Sequence, residues 1–134
     1  MANAGRFIVI EGGEGAGKSR LLQALGGHLG AGGREVVLTR EPGGTALGEQ
    51  IRSLVLHDLA VGDHLAELLL FEAARAHLVA TVIRPALERG ALVLCDRFSA
   101  SSIAYQGFGR GLGRDVVDRA NAIATGVLAP DLTL

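Results

Sequence analysis

Short apolar runs along the chain predict four β-strands. Residues 7–10 form an apolar run that ends in a glutamate and a glycine turn, a pattern typical of a buried strand. Residues 35–39 are rich in β-branched side chains and predict a second strand, and the continuous apolar run at 91–95 predicts a third. Residues 131–134 predict a fourth strand. Longer segments with a different periodicity separate these strands.

The first two of these segments have apolar residues at helical spacing and are predicted to be helices. In residues 19–29 the leucines at positions 21, 22, 25 and 29 fall on one face of a helix. Gly26 and Gly27 weaken this helix by about 1 kcal/mol each relative to alanine. A second helix is predicted near residues 47–56.

A longer helical pattern runs from residue 64 toward residue 87. Asp63 precedes it as a candidate N-cap, and Pro85 either kinks the helix or opens its final turn. Gly90 then ends the pattern. Residues 101–128 are expected to be mostly helical.

Alternation of strands with helices predicts an α/β fold with a doubly wound parallel sheet and helices on both faces. Ligands bind such sheets at the carboxyl ends of the strands. The unusual residues of this chain follow strand ends, at 12–19, at 40–44, and at Asp96 and Arg97. We therefore expect these three segments to meet and form a binding site.

Charge and composition narrow the choice of ligand and compartment. The 134 residues carry 13 basic and 14 acidic side chains, so a net charge of -1 predicts no nucleic acid or membrane partner. The single cysteine, Cys95, excludes an internal disulfide, and no apolar stretch approaches the roughly 18 residues of a membrane helix. Without a secretory signal, the expected location is cytoplasmic. The only lysine is Lys18, whereas twelve residues are arginine.

That lysine lies in the strongest motif of the chain. Residues 12–19 read GGEGAGKS and match the pattern GxxxxGK[ST] between a predicted strand and a predicted helix. Glycines allow backbone N–H groups to face a phosphate, Lys18 can reach the β- and γ-phosphates, and the Ser19 hydroxyl can bind Mg²⁺. The predicted ATP phosphate site comprises Gly12, Gly13, Glu14, Gly15, Ala16, Gly17, Lys18 and Ser19. The alternative is a structural glycine turn that contains a lysine by chance.

Two charged residues end the third predicted strand. Asp96 is a candidate ligand of Mg²⁺, directly or through water, or alternatively a cap of the next segment. Arg97 is a candidate clamp on the transferred phosphoryl group, or alternatively half of a surface salt bridge.

Four segments of the chain form a specific combination, namely FIVIEGGEGAGKS, LTREPGGT, FEAAR and DRFSASSIAYQG. Together they resemble the bacterial thymidylate kinases, a family of P-loop nucleoside monophosphate kinases, over essentially the whole chain. A P-loop alone would indicate only a superfamily, whereas the second and fourth segments in this order are specific. The resemblance implies the P-loop NTPase sheet with strand order 2-3-1-4.

The same resemblance implies a role for individual residues in binding dTMP. Phe71 would stack on the thymine ring, and Arg75, one helical turn later, would donate a hydrogen bond to its O4 atom; without the resemblance Phe71 would be read as a core residue. Tyr105 would favour deoxyribose, and Glu14 would approach the 3′-hydroxyl group. The remaining expected contacts to the base, the acceptor phosphate or the pocket wall are Arg40, Pro42, Arg52, Arg97, Ser101, Ser102 and Gln106.

The implied reaction transfers the γ-phosphoryl group of ATP to dTMP, giving dTDP and ADP for dTTP synthesis. Lys18, Arg97 and Glu14 are the expected catalytic residues, with Ser19 and Asp96 at the magnesium ion. The expected cofactors and partners are ATP, Mg²⁺ and dTMP, and the resemblance implies a homodimer.

Family members differ from this chain in several respects. Gly15 stands where some of them have an arginine, and Arg20 stands where a small residue is usual. Family members also continue past Leu134 through a lid and an adenine-binding loop, so residues 1–134 are interpreted as a truncated kinase core that is inactive alone. The alternatives are another P-loop small-molecule kinase and a non-catalytic nucleotide-binding module.

Overall fold

The computed structural model describes residues 4–13, 15–56, 63–99, 107 and 111–134. Four strands and five α-helices alternate through this part of the chain. In order they are β1 (Arg6–Ile10), α1 (Lys18–Gly30), β2 (Val36–Arg40), α2 (Ala46–Leu56), α3 (His64–Leu78), α4 (Arg84–Glu88), β3 (Leu92–Asp96), α5 (Arg114–Thr125) and β4 (Leu132–Thr133). A π-helical segment, Val79–Ile83, joins α3 to α4.

All four strands belong to one parallel sheet in the order β2-β3-β1-β4. Both the doubly wound fold and the predicted strand order are therefore confirmed. The central strand β3 pairs with β1 from Leu92 to Asp96 and with β2 over the same residues. Strand β4 is shorter than predicted, although the N–H of Asp131 and that of Leu134 continue its hydrogen bonds to β1.

Most helix boundaries lie within a residue or two of the predicted ones. Asp63 caps α3 as predicted, since its carboxylate accepts hydrogen bonds from the N–H groups of Leu65 and Ala66 at 2.8 and 3.3 Å. The long helical run predicted at 64–87 is confirmed, since helical residues continue without a break from His64 to Glu88, and of the two predicted roles Pro85 opens the final turn, as part of α4. The π-helical segment inside this run was not predicted.

The helix described within the predicted range 101–128 is shorter than that range. Helix α5 spans Arg114–Thr125 and ends at Gly126, whose φ of 57° is left-handed. Residues 101–106 and 108–110 of the predicted range lie outside the described residues.

The core lies on both faces of the sheet. Side chains alternate along β3, so Val93 and Cys95 pack with Phe7, Leu78 and Ile83 on one face. Leu92 and Leu94 pack on the other face, against α1. Core residues cover both faces of β1 and β3. A ligand can therefore reach these strands only at their carboxyl ends, where the loops lie. No helix in the described part of the chain is long and apolar enough to cross a membrane.

Candidate active site

Backbone hydrogen bonds tie together the loops that follow β1, β2 and β3. The N–H of Arg97 donates to the carbonyl of Ile10 at 2.9 Å, and the N–H of Glu41 donates to the carbonyl of Asp96 at 2.9 Å. The loops after β1, β3 and β2 are thus neighbours at one edge of the sheet. This is the edge where doubly wound sheets bind ligands.

The loop after β1 has the backbone of an anion-binding turn. Gly15 and Gly17 have φ values of 75° and 87°, and a Cβ at either position would meet nothing within 4 Å. Left-handed φ, and not lack of space, therefore favours glycine at both positions. Gly17 is also the N-cap of α1 and offers no side chain to the first N–H groups of the helix, so they point toward the loop unmasked.

Lys18 lies over this loop. Its ammonium group donates a hydrogen bond to the carbonyl of Gly13 at 3.1 Å, which holds the charge close to the turn. Ser19, the next residue, is exposed on the first turn of α1. Glu14, the third of the eight predicted contacts of this loop, lies outside the described residues. The arrangement places one cation and several N–H donors around one position.

At the end of β3, Asp96 and Arg97 face the same loop. The Oδ1 atom of Asp96 is buried and accepts no hydrogen bond within the described part of the chain. Arg97 has a φ of 68°, a conformation that costs roughly 1–2 kcal/mol for a residue with a side chain. Its guanidinium donates to the carbonyl of Gly12 at 3.4 Å. A strained arginine held against a phosphate-type loop is typical of a functional position.

Two further arginines approach from the loop after β2 and from α2. Arg40 forms a bidentate pair with Glu49, at 3.3 and 2.9 Å, and Arg52 donates to the carbonyl of Pro42 at 3.0 Å. Burial lowers the pKa of Arg52, and the positive charges of Arg40 and Arg97 lower it further, while Glu49 opposes the change. Three guanidinium groups that repel one another at a strand-end cleft are a favourable environment for an anion.

Glu49 was not expected from the sequence. Besides Arg40, its carboxylate accepts a hydrogen bond from the N–H of Gly44 at 3.0 Å, so it fixes the loop after β2. Both partners lower the pKa of Glu49. A cavity of about 360 Å³ lies beside this loop and joins it to α1 and β3. The polar residues that line the cavity are Ser19, Gln23, Thr39, Arg40, Glu49 and Asp96.

Arg75 lies in the interior between α3, α5 and the loop after β2. Only 1% of the residue is exposed, and its Nε donates to both carboxylate oxygens of Glu41 at 3.0 and 2.8 Å. Its Nη1 donates to Glu72 at 2.8 Å and to Asn121 at 2.6 Å, and its Nη2 donates to the carbonyl of Phe98 at 3.3 Å. A guanidinium has five N–H groups, so the second N–H of Nη2 is the one without an acceptor in the described part of the chain.

The residues around Arg75 carry more negative than positive charge. Burial raises the pKa of Glu41 to about 7, against the attraction of Arg75, and the nearby carboxylates of Glu72 and Glu11 add to the rise. Burial also raises the pKa of Glu72. One guanidinium therefore faces two carboxyl groups, and the cluster takes up a proton more readily than isolated glutamates do.

Sequence reasoning missed all three side chains that hold Arg75. Glu72 could have been found, because it lies three residues before Arg75 on the same helical face. Glu41 and Asn121 are 34 and 46 residues away in the chain, so local spacing carries no signal for them. Phe71 lies partly buried one turn before Arg75. Four of the expected base and sugar contacts lie outside the described residues, namely Ser101, Ser102, Tyr105 and Gln106.

Comparison with known proteins decides the family. A model of the family described as thymidylate kinase matches residues 10–134. The chain belongs to the thymidylate kinase family. The thymidylate kinase of Gloeobacter violaceus is 56% identical over 127 residues, covering 95% of this chain and 60% of that protein. The thymidylate kinase of Deinococcus radiodurans is 52% identical over 130 residues, covering 97% of this chain and 63% of that protein.

A solved structure agrees with the fold. The crystal structure of thymidylate kinase from Ehrlichia chaffeensis superposes with a TM-score of 0.88 at 41% identity, over 97% of this chain and 70% of that one. The resemblance inferred from the four sequence segments is therefore confirmed, and the chain is a member of a family of nucleotide-binding kinases. It spans about 60% of the length of curated thymidylate kinases to which it is 56% and 52% identical.

Proposed function

We propose that this chain forms the phosphate-binding and acceptor-binding part of an enzyme that transfers the γ-phosphoryl group of ATP to dTMP. The observation that carries the proposal is the meeting of two charged sites at one sheet edge. Lys18 and the loop after β1 lie on one side, and Arg40, Arg52 and Arg97 lie on the other. Donor and acceptor phosphates bound at these two sites would be brought together.

On the donor side, the loop after β1 supplies N–H groups and one mobile cation. Lys18 rests on the carbonyl of Gly13 and needs only to exchange that oxygen for a phosphate oxygen. The bare N-terminus of α1 adds favourable potential for an anion. Binding the β-phosphate here would leave the γ-phosphate pointing toward Arg97.

Magnesium fits the residues that lie between these groups. Ser19 offers a hydroxyl at the start of α1, and the buried Oδ1 of Asp96 accepts no hydrogen bond within the described residues. Bound Mg²⁺ would neutralise charge on the β- and γ-phosphates. It commonly takes one or two protein ligands besides phosphates and water. The described residues contain no cluster of three or more acidic, histidine or cysteine ligands, and a magnesium site of this kind does not require one.

On the acceptor side, the three arginines would hold the phosphate of dTMP for in-line attack. Arg97 touches both sites, since its guanidinium contacts the carbonyl of Gly12 and its charge acts on Arg52. It is the group placed to stabilise charge on the transferred phosphoryl as it moves. No protein nucleophile is needed, because the acceptor phosphate oxygen attacks directly.

Phe71 and Arg75 would recognise the base. They lie one turn apart on α3, and the second N–H of Nη2 on Arg75 is the donor that could meet the O4 atom of thymine. The proposal also includes base contacts from Ser101, Ser102 and Gln106, a sugar contact from Tyr105, and a contact from Glu14 to the 3′-hydroxyl group. A cytoplasmic homodimer belongs to the same proposal, and exposed leucines on α2 and α3 are available to a partner.

Equilibrium binding tests the donor site. Lys18→Ala should weaken the affinity of the chain for ATP at least tenfold, about 1.4 kcal/mol, because a charged hydrogen bond to phosphate is lost. Its thermal stability should be unchanged, since within the described residues the ammonium group of Lys18 forms only the exposed hydrogen bond to Gly13. Arg20→Ala is the matched control, because it removes a positive charge from the exposed side of the same turn. Equal losses in the two variants would mean that general charge, and not the loop, binds ATP.

Phosphoryl transfer tests the reaction itself. Residues 1–134 mixed with ATP, Mg²⁺ and dTMP should produce little or no dTDP, and robust turnover would overturn the interpretation that this core is inactive alone. Fused to the C-terminal part of a related thymidylate kinase, the chain should produce dTDP, and Arg97→Ala should then lower the rate far more than it lowers dTMP affinity. Calorimetric titration with dTMP, CMP and dGMP identifies the acceptor independently of turnover. Tighter binding of CMP or dGMP than of dTMP would refute the assignment of the substrate.

A further inference from the structure

The side-chain amide of Asn121 lies at the junction of three elements. Helix α5 carries it, and its Oδ1 accepts a hydrogen bond from Nη1 of Arg75 on α3 at 2.6 Å. Its Nδ2 donates to the carbonyl of Ser99, in the segment after β3, at 3.3 Å. The residue is only 7% exposed.

The chemistry of its partners fixes the orientation of this amide. A guanidinium only donates hydrogen bonds and a backbone carbonyl only accepts them, so Oδ1 must face Arg75 and Nδ2 must face Ser99. A reversed amide would place a donor against the donor of Arg75 and an acceptor against the carbonyl of Ser99, and both contacts are shielded from solvent. Asn121 therefore holds Arg75 and the segment after β3 in one fixed relation.

Charge explains why an amide suits this position. Arg75 already faces the carboxyl groups of Glu41 and Glu72, whose pKa values are both raised by burial. A third carboxylate would add to an excess of buried negative charge. The neutral oxygen of Asn121 satisfies the second N–H of Nη1 without that penalty.

With Nε and Nη1 fully occupied, the donor of Arg75 that is left is on Nη2. We propose that Asn121 is a positioning residue for base selectivity, because it clamps the guanidinium of Arg75 so that one N–H is presented to an acceptor at position 4 of a pyrimidine. The inference rests on the proposed binding of dTMP. The clamp is indirect, since Asn121 contacts Arg75 and not the nucleotide.

Such a clamp would discriminate between a keto oxygen and an amino group. The O4 atom of thymine accepts a hydrogen bond, whereas the N4 amino group of 5-methylcytosine donates and would oppose the N–H of Arg75. Both bases carry the 5-methyl group, so dTMP and 5-methyl-dCMP differ only at position 4 and at N3, which donates in thymine and accepts in 5-methylcytosine. If Asn121 is removed, an unpaired N–H remains on Nη1, and the guanidinium is free to turn and adapt to either base.

The test compares dissociation constants for dTMP and 5-methyl-dCMP by calorimetry on the 134-residue chain. The wild-type protein should prefer dTMP, and Asn121→Ala and Asn121→Leu should each reduce that preference about tenfold, the size of one charged hydrogen bond. The leucine variant keeps the volume of the side chain, so it separates loss of the amide from formation of a cavity. Thr125→Val is the matched control, because Thr125 is also buried on α5 but, among the residues that the structure describes, its hydroxyl bonds only to the backbone carbonyl of Asn121.

Each outcome has one meaning. Loss of preference in both Asn121 variants, with Thr125→Val like the wild type, supports the inference. A preference unchanged within twofold, an equal loss of affinity for both nucleotides, a similar loss in Thr125→Val, or failure of both Asn121 variants to show a cooperative melting transition overturns it. A wild-type chain that binds neither nucleotide refutes the proposed function, and the inference with it.

Discussion

Replacing Glu41 with glutamine should change how the stability of this chain depends on pH. Glu41 is 5% exposed, and both of its carboxylate oxygens accept hydrogen bonds from Nε of Arg75. Glutamine has nearly the same shape and keeps one acceptor for that N–H. The substitution therefore removes the titrating proton while it preserves most of the packing.

The size of the effect follows from the raised pKa. Burial, aided by Glu72 and Glu11 and opposed by Arg75, raises the pKa of Glu41 from 4.5 to about 7. The folded state then binds the proton more tightly than the unfolded state does. This stabilisation is fully present below pH 4.5 and is lost as the pH rises through 7. Between pH 5 and pH 8 the loss amounts to about 2.5 kcal/mol of unfolding free energy.

Urea denaturation at half-unit steps from pH 5 to pH 8 measures this directly. Glu41→Gln mimics the protonated form, so the variant should match the wild type near pH 5 and be more stable by about 2.5 kcal/mol at pH 8. Glu49→Gln is the control, because its partners lower the pKa of Glu49 and it stays ionised over this range. The stability difference between that variant and the wild type should not vary with pH.

The reasoning fails if Glu41→Gln parallels the wild type at every pH. Glu41 would then titrate in its ordinary range, and Arg75 would hold both of its carboxylate partners ionised. A pH-dependent difference of equal size in Glu49→Gln would also refute it, because the effect would then be general.

Two further substitutions test local features of the helices. Gly27→Ala should raise the unfolding free energy by about 0.5–1 kcal/mol, because position 27 is inside α1 and a Cβ there meets nothing within 4 Å. Gly26→Ala should raise it less, because its Cβ would lie 3.1 Å from the side chain of Leu38. Equal effects in urea denaturation would show that the neighbouring strand does not restrict position 26. Asp63→Ala should lower the unfolding free energy by about 1 kcal/mol through loss of the α3 cap, and a smaller change on replacing Asp63 by Asn or Ser would confirm that the hydrogen bonds matter.

Local patterns in the sequence were enough to predict the sheet and its helices. Apolar runs ended by Gly12 and Asp96 defined β1 and β3, because buried parallel strands read as continuous apolar segments. Asp63 marked the start of α3 by a rule that involves only four consecutive residues. The glycine-rich loop after β1 was equally clear as a motif, since its glycines and lysine have fixed spacing.

Features that depend on distant contacts were not predictable in this way. The sequence indicated Arg75 only through family resemblance, and the carboxyl and amide groups that hold it come from the loop after β2 and from α5. Their meeting is a product of the tertiary fold. The π-helical segment was missed for a related reason, because VATVI fits an ordinary helix and only packing against the sheet selects the wider turn.

That wider turn sets the rotational phase of α3 relative to the rest of the long helical run. Ile83 and Ala86 on its far side are anchored in the core, and Leu78 and Arg75 on its near side also face inward. An α-helix advances about 100° per residue, so one extra residue in the turn accounts for that much rotation. Without it, a helix docked by Ile83 would aim the guanidinium of Arg75 away from Glu41 and Asn121, and the proposed pyrimidine site would lose its donor although every residue of α3 was intact.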